Sequence, residues 1–355
     1  MTGEDYRITT RDAAQFSDDE ISMETSIWNL IESELWPEDP VTPIEDAIAE
    51  ARALPGRLRR TAFRSWAGDG TLAGSVQINI DPEREDNPDV ISCSILVHPD
   101  HRRRGVATGL LRHVIDYATA QGRLRLILKT YSRIPAGDAF ASAIGATPKA
   151  SSHTNHLPTN EVDRSMMEQW VRQGQTTAGD YELLAWDGPV PDEQLEAFVE
   201  LVLVMNDAPR DQLVVNDFTL TPTEWREGEE RAAAVGQERW FLVARHRSDG
   251  HLVGLHDLAW VPAYPEAMFV GSTVVREEHR GHRLGKWLKA TMMLRVLDEK
   301  PEVKDIRTDN ADSNDAMMRI NLEMGYRPLF GTTTWEVSAD NAAEWVQTRT
   351  APTRA

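Results

Sequence analysis

Two short segments rich in Arg, His and Gly lie between a β-type run and an amphipathic helix-type run. The first spans residues 98–107 and reads HPDHRRRGVA; the second spans residues 276–285 and reads REEHRGHRLG. A turn of this kind directs several backbone N–H groups and the positive end of the helix dipole at one point. Each segment is therefore predicted to bind a phosphate or pyrophosphate group.

The two segments belong to a longer repeat. Arg102 of the first segment and Arg280 of the second are 178 residues apart. An Asp-Gly turn upstream and a glycine at a helix end downstream also recur, at offsets of 180: Gly70 and Gly250, and Gly145 and Gly325. Three local patterns in the same order at nearly one offset indicate a duplicated domain.

The length of 355 residues suits two domains of about 150–180 residues. We expect an N-terminal domain at 1–160, a linker at 161–179, a C-terminal domain at 180–340 and a tail at 341–355 that is disordered from Thr348 onward. Periodicity and turn signals in the first half predict the order β, α, α, β, β, β, α, β, α. The predicted fold class is α/β, with a mixed sheet and helices packed on it.

Composition limits the partners. The formal charge is −19, from 38 Lys and Arg against 57 Asp and Glu. This balance argues against nucleic acid or an anionic membrane as the main partner and favours a cationic substrate, although acidity also keeps a protein soluble. With Cys93 as its single cysteine, the chain cannot form an internal disulfide, and we expect no metal site. No apolar run approaches about 18 residues, so we expect a cytoplasmic protein.

Arg102-x-x-Gly105-x-Ala107 is similar to the Gln/Arg-x-x-Gly-x-Gly/Ala signature of the GNAT acetyltransferase superfamily. The second copy fits the same signature except that Arg283 stands at the middle glycine. The similarity to the family extends over both halves, because in each half the predicted elements around the motif also agree: a hairpin precedes it, and a strand and a helix follow it. It implies two tandem GNAT-like domains, each with a mixed, mostly antiparallel sheet and a splayed central strand pair.

The resemblance implies that the loop amides hold the pyrophosphate of acyl-CoA, with acetyl-CoA as the acyl donor. It also implies that the splayed strand donates hydrogen bonds to the acyl carbonyl. The residues expected to contact acyl-CoA are Leu96, Val97, Arg102, Arg103, Arg104, Gly105, Val106, Ala107 and Thr108 in the first half, and Val274, Val275, Arg280, Gly281, His282, Arg283, Leu284, Gly285, Lys286 and Asn314 in the second.

Coenzyme A is highly anionic, so an acidic protein that binds it must gather positive charge locally. The Arg102 to Arg104 run provides this charge in the first half. In the second half it is provided by Arg280, Arg283, Lys286 and Lys289. Gly105 and Gly281 allow the backbone to approach a phosphate closely.

The two halves differ at the last helix. In the resembled family this helix commonly starts with an Asn that contacts the acyl donor and carries, seven residues later, a Tyr that acts as an acid. The second half has Asn314 and Asn321 at these positions, and the first half has Ile134 and Ala141. Neither half has the usual acid. We favour the second half as the catalytic one. We expect Arg283 to have helical dihedral angles and to donate its backbone N–H to the phosphate group in place of a glycine.

Candidates for the general base lie near the second central strand. Glu266 precedes this strand, while His256 and Asp257 lie on the strand before it. His256 and Asp257 point to opposite faces, so at most one of them can face the site. The predicted catalytic residues are therefore Glu266, His256 and Asn321.

The sequence therefore predicts an acyl-CoA-dependent N-acetyltransferase that acts on the primary amine of a small cationic molecule. Acetylation of a peptide or protein amine remains open. A tandem domain that binds acyl-CoA without turnover also remains open.

Overall fold

A computed structural model of the protein describes residues 6–84 and 86–350. The chain folds into two compact units. Within the described residues, unit 1 comprises the chain up to Ser151, the short segment Asp211–Asn216 and the chain from Gly331 onward. Unit 2 comprises Ser152–Arg210 and Asp217–Phe330.

Unit 1 is built on a six-stranded mixed sheet. Its elements in chain order are β1 (Arg7–Asp12), α1 (Asp18–Leu35), α2 (Ile44–Arg52), β2 (Arg59–Trp66), β3 (Leu72–Ile80), β4 (Val90–Val97), α3 (Val106–Ala120), β5 (Arg125–Tyr131) and α4 (Pro135–Ala143). The predicted order of elements for the first half is confirmed. Neighbouring strands are antiparallel except for β4 and β5, which are parallel.

Unit 2 repeats this plan. Its elements are residues 152–158 of β6 (Thr147–Pro158), α5 (Arg164–Thr177), β7 (Tyr181–Asp187), α6 (Leu195–Val202), α7 (Pro222–Ala234), β8 (Glu238–His246), β9 (Leu252–Trp260), β10 (Ala267–Val275), α8 (Leu284–Glu299), β11 (Asp305–Ala311) and α9 (Asp315–Met324). Here β10 and β11 are the parallel pair, and the other neighbours are antiparallel. The predicted mixed, mostly antiparallel sheet is therefore confirmed in both units.

The last strand of each sheet comes from the opposite half of the sequence. In unit 1, residues 332–338 of β12 (Arg327–Ser338) pair antiparallel with β5. In unit 2, residues 152–158 of β6 pair antiparallel with β11. The division of the chain thus differs from the expected boundaries at 160 and 180, because each half completes its sheet with a strand that a sequence reading assigns to the other half.

The expected linker and tail are also structured. Residues 164–177 of the expected linker form α5, which lies in unit 2 and packs against α8. Most of the expected tail forms α10 (Ala339–Thr350), whose residues Ala342 and Val346 are buried in the core of unit 1. Residues 351–355 of the tail lie outside the described residues.

Each unit has its own apolar core. One face of α3 is buried, with Leu110, Leu111 and Val114 at 0% exposure. One stripe of α8 is buried in the same way, with Leu288 and Met292 at 0%. Since a buried helix stripe fixes the rotation of a helix about its axis, these contacts orient the first turn of α3 and of α8, where the Arg-rich segments end.

Candidate active site

The central parallel strands separate in both units. In unit 1, β4 and β5 pair only from Val90 with Arg125 to Cys93 with Leu128. In unit 2, β10 and β11 pair only from Ala267 with Asp305 to Phe269 with Arg307. Beyond these points the strands diverge, and their ends line a cleft in each unit. The predicted splayed strand pair is thus confirmed in both.

The two clefts differ in size and in the residues that line them. The unit 1 cleft has a volume of about 480 Å³ and the unit 2 cleft about 870 Å³. Apolar side chains from α1, α4 and α10 line much of the unit 1 cleft, including Trp28, Phe140 and Trp345. The unit 2 cleft is lined along β11 and the start of α9 by polar residues, which are Thr308, Asp309, Asn310, Ser313, Asn314 and Asp315.

The Arg-rich turns have the same pattern of left-handed backbone conformations in both units. Each contains two residues in the left-handed region, namely Arg103 (φ 64°) and Gly105 (φ 88°) in unit 1, and Gly281 (φ 84°) and Arg283 (φ 62°) in unit 2. The glycine of one copy therefore corresponds to an arginine of the other at both positions. Arg283 does not have the right-handed helical dihedrals that we expected. Its left-handed backbone keeps the path of the turn that Gly105 makes in unit 1.

A left-handed conformation is strained for Arg283 but not for glycine, because Cβ approaches the backbone at a cost of about 1–2 kcal/mol. We expect Arg283→Gly to be more stable than Arg283→Ala by about 0.5–1 kcal/mol, after allowing for the larger chain entropy of glycine. Both variants lose the bond that the Arg283 guanidinium donates to Gln173 Oε1, at 2.6 Å, so this loss cancels in the comparison. Urea denaturation of the two variants measures the difference. Equal stabilities would contradict a left-handed residue 283.

Most of the residues predicted to contact acyl-CoA line the two clefts. The exceptions are Arg104 and His282. The His282 ring folds back on its own turn, with Nδ1 3.2 Å from the carbonyl oxygen of His279 and 3.1 Å from that of Arg280. Apart from Asn314, which lies at the start of α9, the remaining residues lie where the central strand, the turn and the first turn of the next helix meet.

The charges of the turn arginines are partly balanced by nearby acids. In unit 1, Arg102 donates two hydrogen bonds to the carboxylate of Glu34, at 2.9 and 2.6 Å. In unit 2, the Arg280 guanidinium lies 3.5 Å from the Asp207 carboxylate, and both side chains are about half exposed. A bidentate pair is the stronger arrangement, so Arg102 is less available to an incoming phosphate than Arg280.

Lys289 does not contribute charge to the turn. It is 1% exposed in the core of unit 2, where its ammonium nitrogen lies 5.4 Å from the centre of the Tyr326 ring. Burial lowers the pKa of Lys289 to about 7. The sequence analysis grouped Lys289 with Lys286 as a source of positive charge. The two side chains are three residues apart on α8, so they point in directions that differ by about 60° around the helix axis, and this difference directs Lys289 into the core.

The two asparagines of α9 differ in location. Asn314 lines the unit 2 cleft and caps the helix, with Oδ1 accepting a hydrogen bond from the Met317 N–H at 3.2 Å. Asn321 is 1% exposed and donates to Asn310 Oδ1 at 2.6 Å, while its own Oδ1 has no partner among the described residues. Asn321 therefore reaches the cleft only through Asn310, and an amide cannot serve as a proton donor at neutral pH.

The candidate bases Glu266 and His256 also lie outside the cleft lining. Glu266 precedes β10 and pairs at the surface with Lys304. His256 is 3% exposed, and its Nδ1 lies 2.8 Å from the Thr273 hydroxyl, which does line the cleft. Burial, with a smaller effect of the Lys289 charge, lowers the pKa of His256 well below its usual value. The ring is therefore neutral at physiological pH and contacts the cleft only through Thr273.

Several residues near the clefts were not found from the sequence. Asp309 and Asn310 lie near the end of β11, and Asp207 lies in the 3-10 turn after α6. Helix α7 was also missed, although Thr221 and Glu224 form a capping box that starts it. The pattern Thr-Pro-x-Glu carried that signal.

The fold and the paired clefts define the class of protein. Residues 24–140 match the profile of the Acetyltransferase (GNAT) family. A tandem GNAT protein from the clavulanic acid biosynthesis pathway superposes with a TM-score of 0.73 at 23% identity, over 94% of this chain and 99% of that one. The chain has the fold of a tandem GNAT protein, and the resemblance inferred from the sequence is confirmed.

Two further proteins are similar. Mycothiol acetyltransferase from Frankia casuarinae is 27% identical over 228 residues, which are 62% of this chain and 54% of that protein. The match thus spans about half the length of this relative. A GCN5-related N-acetyltransferase from Sphaerobacter thermophilus superposes with a TM-score of 0.61 at 14% identity, over 94% of this chain and 96% of that one. None of the described helices is long and apolar enough to cross a membrane.

Proposed function

We propose that the protein transfers an acetyl group from acetyl-CoA to the primary amine of a small cationic molecule, and that the unit 2 cleft is the site of transfer. The neutral amine nitrogen attacks the thioester carbon and forms a tetrahedral oxyanion. The carbon–sulfur bond then breaks, the CoA thiolate leaves, and the nitrogen loses a proton. The protein must therefore hold the pyrophosphate, stabilise the oxyanion and accept a proton.

The choice of unit 2 depends on two differences between the units. The unit 2 cleft is lined by Asp309 at the end of β11 and by Asn314 at the start of α9, whereas the unit 1 cleft has Lys129 and Ile134 at the positions 180 residues earlier. The pairing of Arg102 with Glu34 also balances the charge of that arginine in the turn of unit 1. Both differences favour unit 2 as the site that holds a polar acceptor beside the acyl donor.

Carboxylates around the unit 2 cleft suit a cationic acceptor. Asp207, Asp309 and Asp315 line it, and the whole chain has a charge of −19. A cleft with acidic walls raises the local concentration of cations. Asp309 is exposed and accepts a hydrogen bond from the Thr154 hydroxyl at 2.5 Å. It replaces Glu266 as our candidate for the group that accepts the amine proton, directly or through one water molecule.

Release of CoA thiol from acetyl-CoA in the presence of a panel of amines tests the proposal. The panel contains small diamines, amino sugars, neutral monoamines of similar size and a peptide with a free N-terminus. We expect the highest kcat/KM with a small cationic amine. For that amine, Asp309→Asn is expected to lower kcat by about 10²-fold or more, the usual contribution of a general base.

The same panel distinguishes the other two functions. The highest kcat/KM with the peptide would assign the protein to acetylation of a peptide or protein amine. Tight binding of acetyl-CoA without thiol release for any amine would refute the transferase and indicate a binding module. Titration calorimetry with acetyl-CoA supplies the binding measurement independently of turnover.

A further inference from the structure

Strand β10 has a bulge where it separates from β11. His256 on β9 is opposite Thr273, whereas Leu258 is opposite Val270, so that Asp257 faces two residues of β10, Gly271 and Ser272. An extra residue of this kind bends a strand and redirects the groups that follow it. The bulge lies just beyond Phe269, the last residue of β10 that pairs with β11.

The carboxylate of Asp257 is built into this bulge. Its Oδ1 accepts a hydrogen bond from the Ser272 N–H at 2.7 Å, and its Oδ2 pairs with the Arg239 guanidinium at 2.5 Å. The side chain is only 1% exposed. The Arg239 guanidinium is held in turn by the rings of Trp225 and Phe241, whose centres lie 5.0 and 4.9 Å away. Charge-assisted bonds of this kind are stronger than neutral ones.

Gly271 is matched to this carboxylate. A Cβ atom added at residue 271 would lie 2.8 Å from Cγ of Asp257, closer than two carbon atoms approach without a clash. The carboxylate thus occupies the space that any side chain at this position would need. Glycine at 271 and aspartate at 257 together define the path of the bulge.

The bulge faces the proposed reaction site. The β10 residues on its cleft side, from Gly271 to Val275, line the unit 2 cleft. Because Asp257 binds the Ser272 N–H, that donor is withdrawn from the ladder and the backbone beyond it is turned. In unit 1, Gln77 lies 180 residues before Asp257 and is exposed. Its strand pairs regularly with β4 from Gly74 with Val97 to Gln77 with Ser94.

We infer that Asp257 is a positioning residue for acyl transfer in unit 2: its carboxylate shapes the bulge of β10 that aims the following backbone N–H groups at the acyl oxygen. The inference rests on the proposed function, since it assigns those N–H groups to the oxyanion. The cost of burying a carboxylate beside the cleft is offset by Arg239 and by the Ser272 N–H. Burial raises the pKa of Asp257, and these two partners oppose the rise.

Asp257→Leu removes the acceptor for the Ser272 N–H and keeps a side chain of similar size. We expect kcat to fall about 10²-fold with little change in the Kd of acetyl-CoA, because misplacing a reacting group by about 1 Å can cost that factor. Asp257→Asn keeps an acceptor oxygen, and we expect it to retain at least tenfold more kcat than the leucine variant. Gln77→Leu is the matched control at the equivalent position of unit 1, and we expect no change in its kcat.

Hydrogen exchange of the segment 270–275 provides a second measurement. We expect faster exchange in Asp257→Leu, because the Ser272 N–H loses its acceptor, and near-normal exchange in Asp257→Asn. If the leucine variant does not fold, Gly271→Ala tests the same point by placing a Cβ against the carboxylate. It is expected to lower kcat at least tenfold at unchanged acetyl-CoA affinity.

Two results would overturn the inference alone: a folded Asp257→Leu variant with normal kcat, or a fall in kcat matched by an equal loss of acetyl-CoA affinity. The second result would mean that Asp257 supports the cleft as a whole. A wild-type protein that releases no thiol with any amine would overturn the proposed function as well, so the two failures are distinguishable.

Discussion

Replacing Gly281 with Asp is expected to weaken acetyl-CoA binding ten- to thirtyfold. Gly281 lies in the turn before α8 with φ 84°, and a Cβ atom added there meets no atom within 4 Å. Asp is one of the few residues that tolerate this backbone region. The substitution therefore places a negative charge against the pyrophosphate with little strain. Repulsion of about 1.4–2 kcal/mol, typical of partly exposed charges several ångströms apart, corresponds to that factor.

Gly281→Asn is the matched control, because it has the same shape and the same tolerance of a left-handed backbone but no charge. We expect its Kd for acetyl-CoA to stay within about threefold of wild type. Titration calorimetry at low salt measures both variants, and added salt should reduce the difference between them. Equal affinities of the Asp and Asn variants would exclude this turn as the pyrophosphate site.

Gly105→Asp tests whether the turn of unit 1 binds the acetyl-CoA that reacts. Gly105 has φ 88°, and a Cβ atom added there also meets no atom within 4 Å. If unit 2 is the site of transfer, this variant keeps the kcat of the wild type, whereas Gly281→Asp raises the KM for acetyl-CoA. The opposite pattern would assign transfer to unit 1.

Replacing Lys289 with Met is expected to raise the free energy of unfolding by roughly 3–5 kcal/mol at pH 7 and below. The ammonium group is buried in unit 2, and burial lowers the pKa of Lys289 from 10.5 to about 7. Each pKa unit corresponds to about 1.4 kcal/mol, and the long side chain of Met fills a similar volume. The variant keeps the apolar stem of the residue and removes the buried amine.

The gain should shrink at alkaline pH. Between pH 7 and pH 10.5 the unfolded wild type holds a proton on Lys289 that the folded wild type has lost, so the stability of the wild type rises with pH. We expect the difference from Lys289→Met to fall by about 2–3 kcal/mol between pH 7 and pH 9. Urea denaturation at the two pH values measures it. A difference that does not depend on pH would contradict a neutral, buried Lys289.

Lys304→Met serves as the control, because the Lys304 side chain is 69% exposed and pairs with Glu266 at the surface. Loss of an exposed pair changes stability by about 1 kcal/mol or less. A similar gain in both lysine variants would attribute the effect to net charge rather than to burial.

Local patterns were sufficient to predict the elements and their repetition. The alternation in β3, the helix stripe of α8 and the Asp-Gly hairpin turns depend on neighbours close in sequence, so each could be recognised without the partner it packs against. The prediction of a phosphate site in the Arg-rich turns uses the same local information, because a strand, a turn and a helix follow one another along the chain.

The choice of strand partners could not be predicted in this way. Strands β6 and β12 occupy equivalent places in the two halves, and pairing with β5 or β11 satisfies the same backbone hydrogen bonds in either case. Which of the two strands completes which sheet depends on contacts distant in sequence, such as those of Ala342 and Val346 with the core of unit 1. The expected domain boundaries therefore differ from those of the compact units.

The two Arg-rich turns show the same division between local and long-range information. Their residue types and spacing were enough to predict a phosphate-binding turn, because those features act through the backbone of one short segment, and their resemblance to the GNAT signature implied two GNAT-like domains in tandem. The availability of each charge was set by residues far along the chain: Glu34 pairs with Arg102, Gln173 accepts a bond from Arg283, and the core of unit 2 encloses Lys289. Burial and ion pairing depend on what the whole fold brings near a side chain, and no local pattern contains that information.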